Sequence, residues 1–186
     1  MIGYALTGSF CTISSSLKVM SNLVNLGYEI LPIVSKNVYN IDTRFALAKD
    51  IRNKIIDISN REAIHTIVEA EPIGPQNNLD AMIICPCTGN TLAKIANGIT
   101  DTSVCMAVKA HLRNNKPLII ALASNDALSS NLKNIATLLS RKNIYFVPMT
   151  QDDPIKKPHS LVADFDMVEE TLKLALEGKS VHKIFV

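Results

Sequence analysis

Along this chain, short apolar runs bounded by turn residues alternate with stretches in which apolar residues return every three or four positions. A strand covered on both faces reads as a continuous run and a covering helix as a stripe, so the alternation predicts βαβ units around a parallel sheet. Ile2-Gly3-Tyr4-Ala5-Leu6 is the first run. A hydroxyl-rich loop follows, then a helix over 14–26 carrying Leu17, Met20 and Val24, stopped by Gly27 in the manner of a C′ glycine. Residues 29–34 form the next strand. Asp42 is then expected to cap a helix whose inward face is Phe45, Ala48, Ile51 and Ile55.

Between 60 and 78 the pattern fades: Ile64-His65-Thr66-Ile67-Val68 fits a short strand or an extended loop, and Pro72 and Pro75 favour loop afterwards. Ala81 to Cys85 is a strand, turned by Pro86-Cys87-Thr88-Gly89-Asn90-Thr91 into a helix bearing Leu92, Ile95 and Ala96 that stops at Gly98. A helix over 103–114, a strand over 118–123, a helix on Leu128, Leu132, Ile135 and Leu139, and a last buried strand over 144–147 complete the repeat. Residues 148–158 read as a charged connection. A closing helix over 165–177 aligns Phe165, Val168, Leu172 and Ala175 and ends at Gly178. No linker divides the chain, so residues 1–186 are expected to form one three-layer α/β/α domain with an open parallel sheet.

Composition narrows the function more than the fold. The 19 basic and 17 acidic residues nearly cancel, leaving no field to draw the chain to nucleic acid or an anionic membrane. Aromatics are 5% and tryptophan is absent, which offers little platform for stacking bases. With no basic n-region and no long uncharged apolar run, a cytoplasmic protein is expected. Cys11, Cys85, Cys87 and Cys105 lack the spacing of a disulfide framework or a zinc site; reduced thiols and no metal are the reading.

In an open parallel sheet ligands bind beyond the carboxyl ends of the strands. After the first strand, residues 7–16 hold six hydroxyls: Thr7, Ser9, Thr12, Ser14, Ser15 and Ser16. Two readings fit: a phosphate held by free helix amides and hydroxyls, or plain serine capping. GxGxxG is missing, and Val34-Ser35-Lys36-Asn37 offers no acid for a ribose diol, so a mononucleotide is favoured over NAD. Ser35, Lys36 and Asn37 would sit beside the first loop. The small polar residues at 86–91 would let a planar ring approach the backbone.

The stretch Ile83-Ile84-Cys85-Pro86-Cys87-Thr88-Gly89-Asn90-Thr91-Leu92-Ala93-Lys94-Ile95-Ala96-Asn97-Gly98-Ile99-Thr100-Asp101 resembles the PATANTLAKIAxGIAD motif of the homo-oligomeric flavin-containing cysteine decarboxylase family. Gly8-Ser9-Phe10-Cys11, Asp42-Thr43-Arg44-Phe45, Glu71-Pro72-Ile73-Gly74-Pro75 and Gln151-Asp152-Asp153-Pro154 extend the resemblance over nearly the whole chain, toward the branch that makes dipicolinic acid in spore formation. The resemblance implies a Rossmann-like or flavodoxin-like sheet and FMN bound across a subunit interface of a trimer or trimer-based dodecamer. It also implies a partner chain that binds NAD(P) and oxidation of a dihydrodipicolinate ring. The alternatives are a decarboxylase of the same family and a non-catalytic assembly subunit.

By that resemblance Gly8, Ser9 and Ser35 hold the phosphate side of FMN, and Thr88, Asn90 and Thr91 the ring side. Ser124, Asn125 and Asp126 close on it, with Phe10, Asn37, Pro86 and Cys87 as further contacts. His65, Asn90 and Glu71 are the catalytic candidates; Glu69 is a second loop acid able to act as a base, and both acids read equally as solvated. A two-carboxylate ligand needs cations, for which Arg44, Lys109 and Arg113 are the candidates, each equally readable as a solvated helix residue. Two departures stand out. The family's PxMNxxMW segment is replaced by Ala123-Ser124-Asn125-Asp126-Ala127-Leu128, which argues against cysteine decarboxylation, and Cys87 and Gly89 replace alanines of the motif.

Overall fold

A computed structural model describes all residues, 1–186. Strands β1 (Ile2–Leu6), β2 (Ile30–Val34), β3 (Ala81–Cys87), β4 (Leu118–Ser124) and β5 (Ile144–Phe146) run parallel in the order β2-β1-β3-β4-β5. Their side chains alternate between two cores. Ala5, Ile33, Met82, Ile84, Leu118, Ile120 and Leu122 face one, whereas Tyr4, Leu6, Val34, Ile83, Cys85, Ile119 and Ala121 face the other. Two-sided burial is why these strands read as unbroken apolar runs.

Helices α1 (Ile13–Asn25), α3 (Ala48–Ser59) and α9 (Val168–Leu176) cover the second face through residues such as Leu17, Met20, Ile51, Ile55 and Leu172. The first face is covered by α6 (Gly89–Ala96), α7 (Ser103–Leu112) and α8 (Leu132–Leu139), with the short α4 (Ile67–Ala70) and α5 (Ile73–Gln76) packed on α7. The three-layer α/β/α expectation holds. Gly27, Gly98 and Gly178 all take positive φ (90°, 70° and 74°) at the helix ends where a stop was expected.

Several local expectations are corrected. A short helix α2 (Lys36–Asn40) directly follows β2. The next helix starts only at Ala48; Asp42 still caps it, because its Oδ1 accepts from the Ala48 amide at 2.8 Å, but Phe45 lies before the helix and is 52% exposed rather than inward. Residues 60–78 form neither a strand nor a long loop: Ile64 makes one parallel bridge to Ile33, and α4 and α5 follow, with a Thr66–Glu69 capping box opening α4. Leu128 precedes α8, and the closing helix begins with a 3-10 turn over Phe165–Met167.

The charged connection hides a hairpin: β6 (Met149–Thr150) and β7 (Leu161–Ala163) pair antiparallel, and β7 pairs antiparallel with Ala123 and Ser124 of β4. The sheet is therefore mixed at this edge. β5 occupies the amino half of β4's outer edge and β7 the carboxyl half, which carries the hairpin loop 151–160 to the carboxyl end of the sheet.

Candidate functional site

The chain leaves β1 for β2 on one side and later returns to β3 on the other, so the ends of β1 and β3 are the topological switch point. Thr7 joins them. Its amide donates to the Pro86 carbonyl at 3.2 Å, its hydroxyl donates to the same oxygen at 2.8 Å, and its Oγ1 accepts from the Thr88 amide at 2.9 Å. Ser16 makes a second tie, donating from Oγ to the Cys85 carbonyl beside the buried Tyr4 hydroxyl. Thr7 and Ser16 are 1% and 0% exposed, so two of the six loop hydroxyls are structural. Thr12 is a third, donating to the Ser9 carbonyl at 2.9 Å. Ser9 is half-buried at the lip of the switch point, and Ser14 and Ser15 face solvent.

Above this point lies a cleft of about 670 Å³. Gly8, Ser9, Phe10, Cys11 and Thr12 form its floor after β1; Thr88 and Gly89 come from the β3–α6 turn; Ala123, Ser124 and Asn125 come from the end of β4. Arg44, Phe45, Asp152, Lys157 and Val162 close the rim. The Arg44 guanidinium stands 4.8 Å from the Phe45 ring centroid. Asp152 and Lys157 pair at 2.5 Å, which holds the Asp152 carboxyl below the usual range and raises the Lys157 ammonium. A side cavity of about 160 Å³ between α1 and α3 shares Phe10, Cys11 and Phe45 with the cleft.

The turn after β3 is held from within. Thr88 caps α6, its Oγ1 accepting from the Thr91 amide at 3.3 Å and donating to Thr91 Oγ1 at 3.1 Å; Thr91 is 8% exposed. Asn90 is exposed on the same turn. Gly89 is buried where Ser124, Asp126 and Asn131 converge: an added Cβ would stand 2.6 Å from both Asn131 Nδ2 and Asp126 Oδ1, and closer still to Ser124 Oγ. That convergence is the physical reason why this position departs from alanine.

Of the residues expected to hold a cofactor, Gly8, Ser9, Phe10, Thr88, Ser124 and Asn125 line the cleft. Asn37 adjoins Gly8, with its Cβ 3.7 Å from where a Gly8 Cβ would be. Ser35 caps α2, accepting from Val38 N at 3.4 Å, and Asp126 stands behind Ser124 rather than in the cleft. Pro86 and Cys87 are buried within β3, which runs two residues further than expected. The Cys87 side chain packs in the core at 0% exposure, and that burial pushes its thiol far up.

Two of the three catalytic candidates, His65 and Glu71, are not among the residues that line the cleft, whereas Asn90 is exposed on the turn that carries Thr88 and Gly89 into it. His65 stacks on Tyr39 with centroids 3.8 Å apart, and its Nδ1 is 3.3 Å from Glu69 Oε2. Glu69 spends that oxygen accepting from the His65 and Thr66 amides at 3.0 Å each, bonds that lower its pKa; it is a helix cap rather than a free base. Glu71 is exposed at the end of α4. Lys109 and Arg113 sit toward the carboxyl end of α7, whose amino end is the one near the site: Ser103 Oγ donates to the Val34 carbonyl at 2.7 Å, whereas His111 contacts Pro117 ahead of β4. Arg44 alone of the three proposed cations reaches the rim. Lys157 joins it there without any signal in the sequence, because nothing in residues 151–160 announces a hairpin.

The family described as Flavoprotein matches residues 1–172. Over 185 residues the chain is 45% identical to the B subunit of dipicolinate synthase from Bacillus subtilis (strain 168), covering 100% of this chain and 92% of that protein. A crystal structure of the dipicolinate synthase B subunit from Bacillus halodurans C superposes with TM-score 0.91 at 43% identity, covering 100% of this chain and 95% of the other. An FMN-dependent cysteine decarboxylase shares the fold at TM-score 0.71 and 18% identity, over 95% of each chain. A match from β1 into α9, on a sheet whose cleft opens at the switch point, makes this chain a member of the flavoprotein family.

Proposed function

We propose that the chain binds FMN in the switch-point cleft and acts as the flavoprotein component of a dipicolinate synthase. With a nicotinamide-binding partner, the A subunit of dipicolinate synthase, it would oxidise dihydrodipicolinate to dipicolinic acid. The observation that carries this reading is the 45% identity maintained over 185 residues to a dipicolinate synthase B subunit. A homo-oligomer is part of the proposal.

The residues present fit the cofactor. A volume of about 670 Å³ is within the usual range for a small-molecule site. Gly8 leaves a cradle that a side chain would fill, since a Cβ there would already touch the Phe10 ring at 3.5 Å and Asn37 at 3.7 Å. Ser9 and the leading amides of the 3-10 turn over Phe10–Thr12, which lack partners within their own helix, suit the phosphate. Thr88, Gly89, Ser124 and Asn125 suit the ring side. When bound, an isoalloxazine supplies the capacity to accept an electron pair.

The chain's own residues would do the rest. Thr7 fixes the β1 and β3 loops relative to each other, so the two sides of the ligand are held at one spacing. Arg44 and Lys157 stand at the rim, where cations offset the two carboxylates of the substrate, and Asp152 orients Lys157. Phe10 gives the floor of the cleft an apolar surface, and Phe45 carries the Arg44 guanidinium at the rim.

The test has two arms. The purified protein is expected to be yellow and to release a chromophore with the mass of FMN. Mixed with the partner chain, it is expected to raise dipicolinate formation well above the partner alone. A partner that is fully active by itself would refute the catalytic role, and a boost from colourless protein would make the chain an assembly component.

A further inference from the structure

Behind the cleft runs a file of polar side chains whose hydrogen positions are fixed from both ends. Asn97 Nδ2 donates to the Ala93 carbonyl at 2.8 Å, which can only accept, so the amide of Asn97 has one orientation. The same nitrogen faces Asn134 Oδ1 at 3.4 Å. Asn134 Nδ2 therefore points the other way and donates to Asn131 Oδ1 at 2.8 Å, and Asn131 Nδ2 donates to Asp126 Oδ2 at 2.9 Å. Asn131 and Asn134 are 4% and 6% exposed, and every amide points its N–H toward Asp126. From the other side Ser124 Oγ meets Asp126 Oδ1 at 2.5 Å. A carboxylate has no hydrogen to give, so the hydroxyl hydrogen of Ser124 must lie on that bond.

Ser124 also lines the cleft. With its one hydrogen committed to Asp126, it shows the cleft lone pairs only. Resting on the FMN reading above, we propose that Ser124 is an obligate hydrogen-bond acceptor that takes an N–H or O–H from the bound flavin, and that Asp126 is the positioning residue that imposes this polarity. An edge of the ligand carrying only carbonyl or imine acceptors is excluded from this position. Gly89 belongs to the device, because a side chain there would occupy the space in which Ser124, Asp126 and Asn131 meet.

An isosteric change reverses the polarity. In Asp126→Asn, Asn131 still donates toward residue 126, so the new amide turns its oxygen to Asn131 and its N–H₂ to Ser124. Ser124 then accepts from residue 126, and its own hydrogen is released to the cleft side, where it competes with the remaining lone pair for the position that faces the ligand's donor. The wild type, S124A, D126N and S124A/D126N are titrated with FMN, following quenching of flavin fluorescence, and each is melted to establish that it folds. S124A is expected to weaken FMN about three-fold to ten-fold, the net value of one hydrogen bond, and D126N by a similar factor, since the hydroxyl is no longer held as an acceptor only.

The diagnostic result is coupling: in the S124A background D126N should change FMN affinity less than about two-fold, because no hydroxyl is left to turn. A stabilising role for Asp126 alone would instead shift both backgrounds alike. Wild-type affinity in S124A or in D126N, or independent additive losses, overturns the acceptor assignment while leaving the flavin reading intact. Failure of the wild type to bind FMN sinks both. S124A keeps the fold independent of the switch and decides the contact by itself should D126N not fold.

Discussion

Gly89→Ala sets two ordinary effects against each other. Alanine is the better helix former by at most about 1 kcal/mol, and less at the first turn, where Gly89 sits. Against that, the new methyl carbon would lie 2.6 Å from Asn131 Nδ2 and Asp126 Oδ1 and nearer to Ser124 Oγ, all well inside contact distance. Neither side yields easily. Ser124 is pinned by the pairing of β4 with β7, and α6 is pinned by the Thr88 cap and the Thr7–Thr88 bond. Overpacking of this kind costs about 1–3 kcal/mol, and displacing Asp126 from its two donors removes hydrogen bonds to a charged group.

Asp126 is half-buried, so water replaces part of what is lost, and a net destabilisation of about 2 kcal/mol is expected. For a domain of this size that is a fall in Tm of roughly 4–8 °C. Calorimetry of the wild type and G89A measures it. Repeating the substitution in S124A/D126A, where two of the three obstructing groups are gone, should reduce the cost to about 0.5 kcal/mol or less. A G89A protein that melts at or above the wild type, or one that loses as much in the relieved background, would refute the steric reasoning.

Two further outcomes follow from burial. The Cys85 thiol is pushed up to about 11 by burial, Cys87 higher still, and Cys105 is raised as well, whereas Cys11 is exposed in the cleft; iodoacetamide on the native protein should alkylate Cys11 alone, and equal labelling of Cys87 by peptide mass spectrometry would contradict its placement. His111 is 1% exposed and burial lowers its pKa, although the Pro117 carbonyl 2.9 Å from Nε2 acts in the opposite sense. Below the ordinary value of 6.5 the unfolded chain therefore binds more protons than the native one, so stability falls with acidification from that point down to the depressed native value. H111Q, which keeps a donor for Pro117 but does not titrate, should flatten the dependence of Tm between roughly pH 7.5 and pH 5.5, and an unchanged slope would count against a neutral buried imidazole.

Much of the layer architecture is legible in the sequence. Two-sided strands such as 81–85 and 118–123 and the stripes of α1 and α9 are local patterns, set by whether successive or every-third-and-fourth residues are apolar, and their positions agree with the fold. The glycine stops are readable because positive φ is a property of one residue. The β1 and β3 loops are legible as the lining of a cleft because the open edge of a parallel sheet follows from strand direction.

What the tertiary structure alone decided is which distant residues meet. β6 and β7 are two and three residues long, too short for any periodicity, yet they bring Asp152 and Lys157 to the rim. Phe45 fits a helical stripe by spacing but precedes its helix, so it faces solvent. Lys109 and Arg113 have the charge of carboxylate partners, but the direction of α7 puts them toward its far end. Gly89 carries no local sign of its reason, which is the arrival of Ser124, Asp126 and Asn131 from more than thirty residues away. Periodicity encodes neighbours along an element; neighbours across elements exist only after the strands are ordered, and both the cleft and the polarity of Ser124 belong to that second kind.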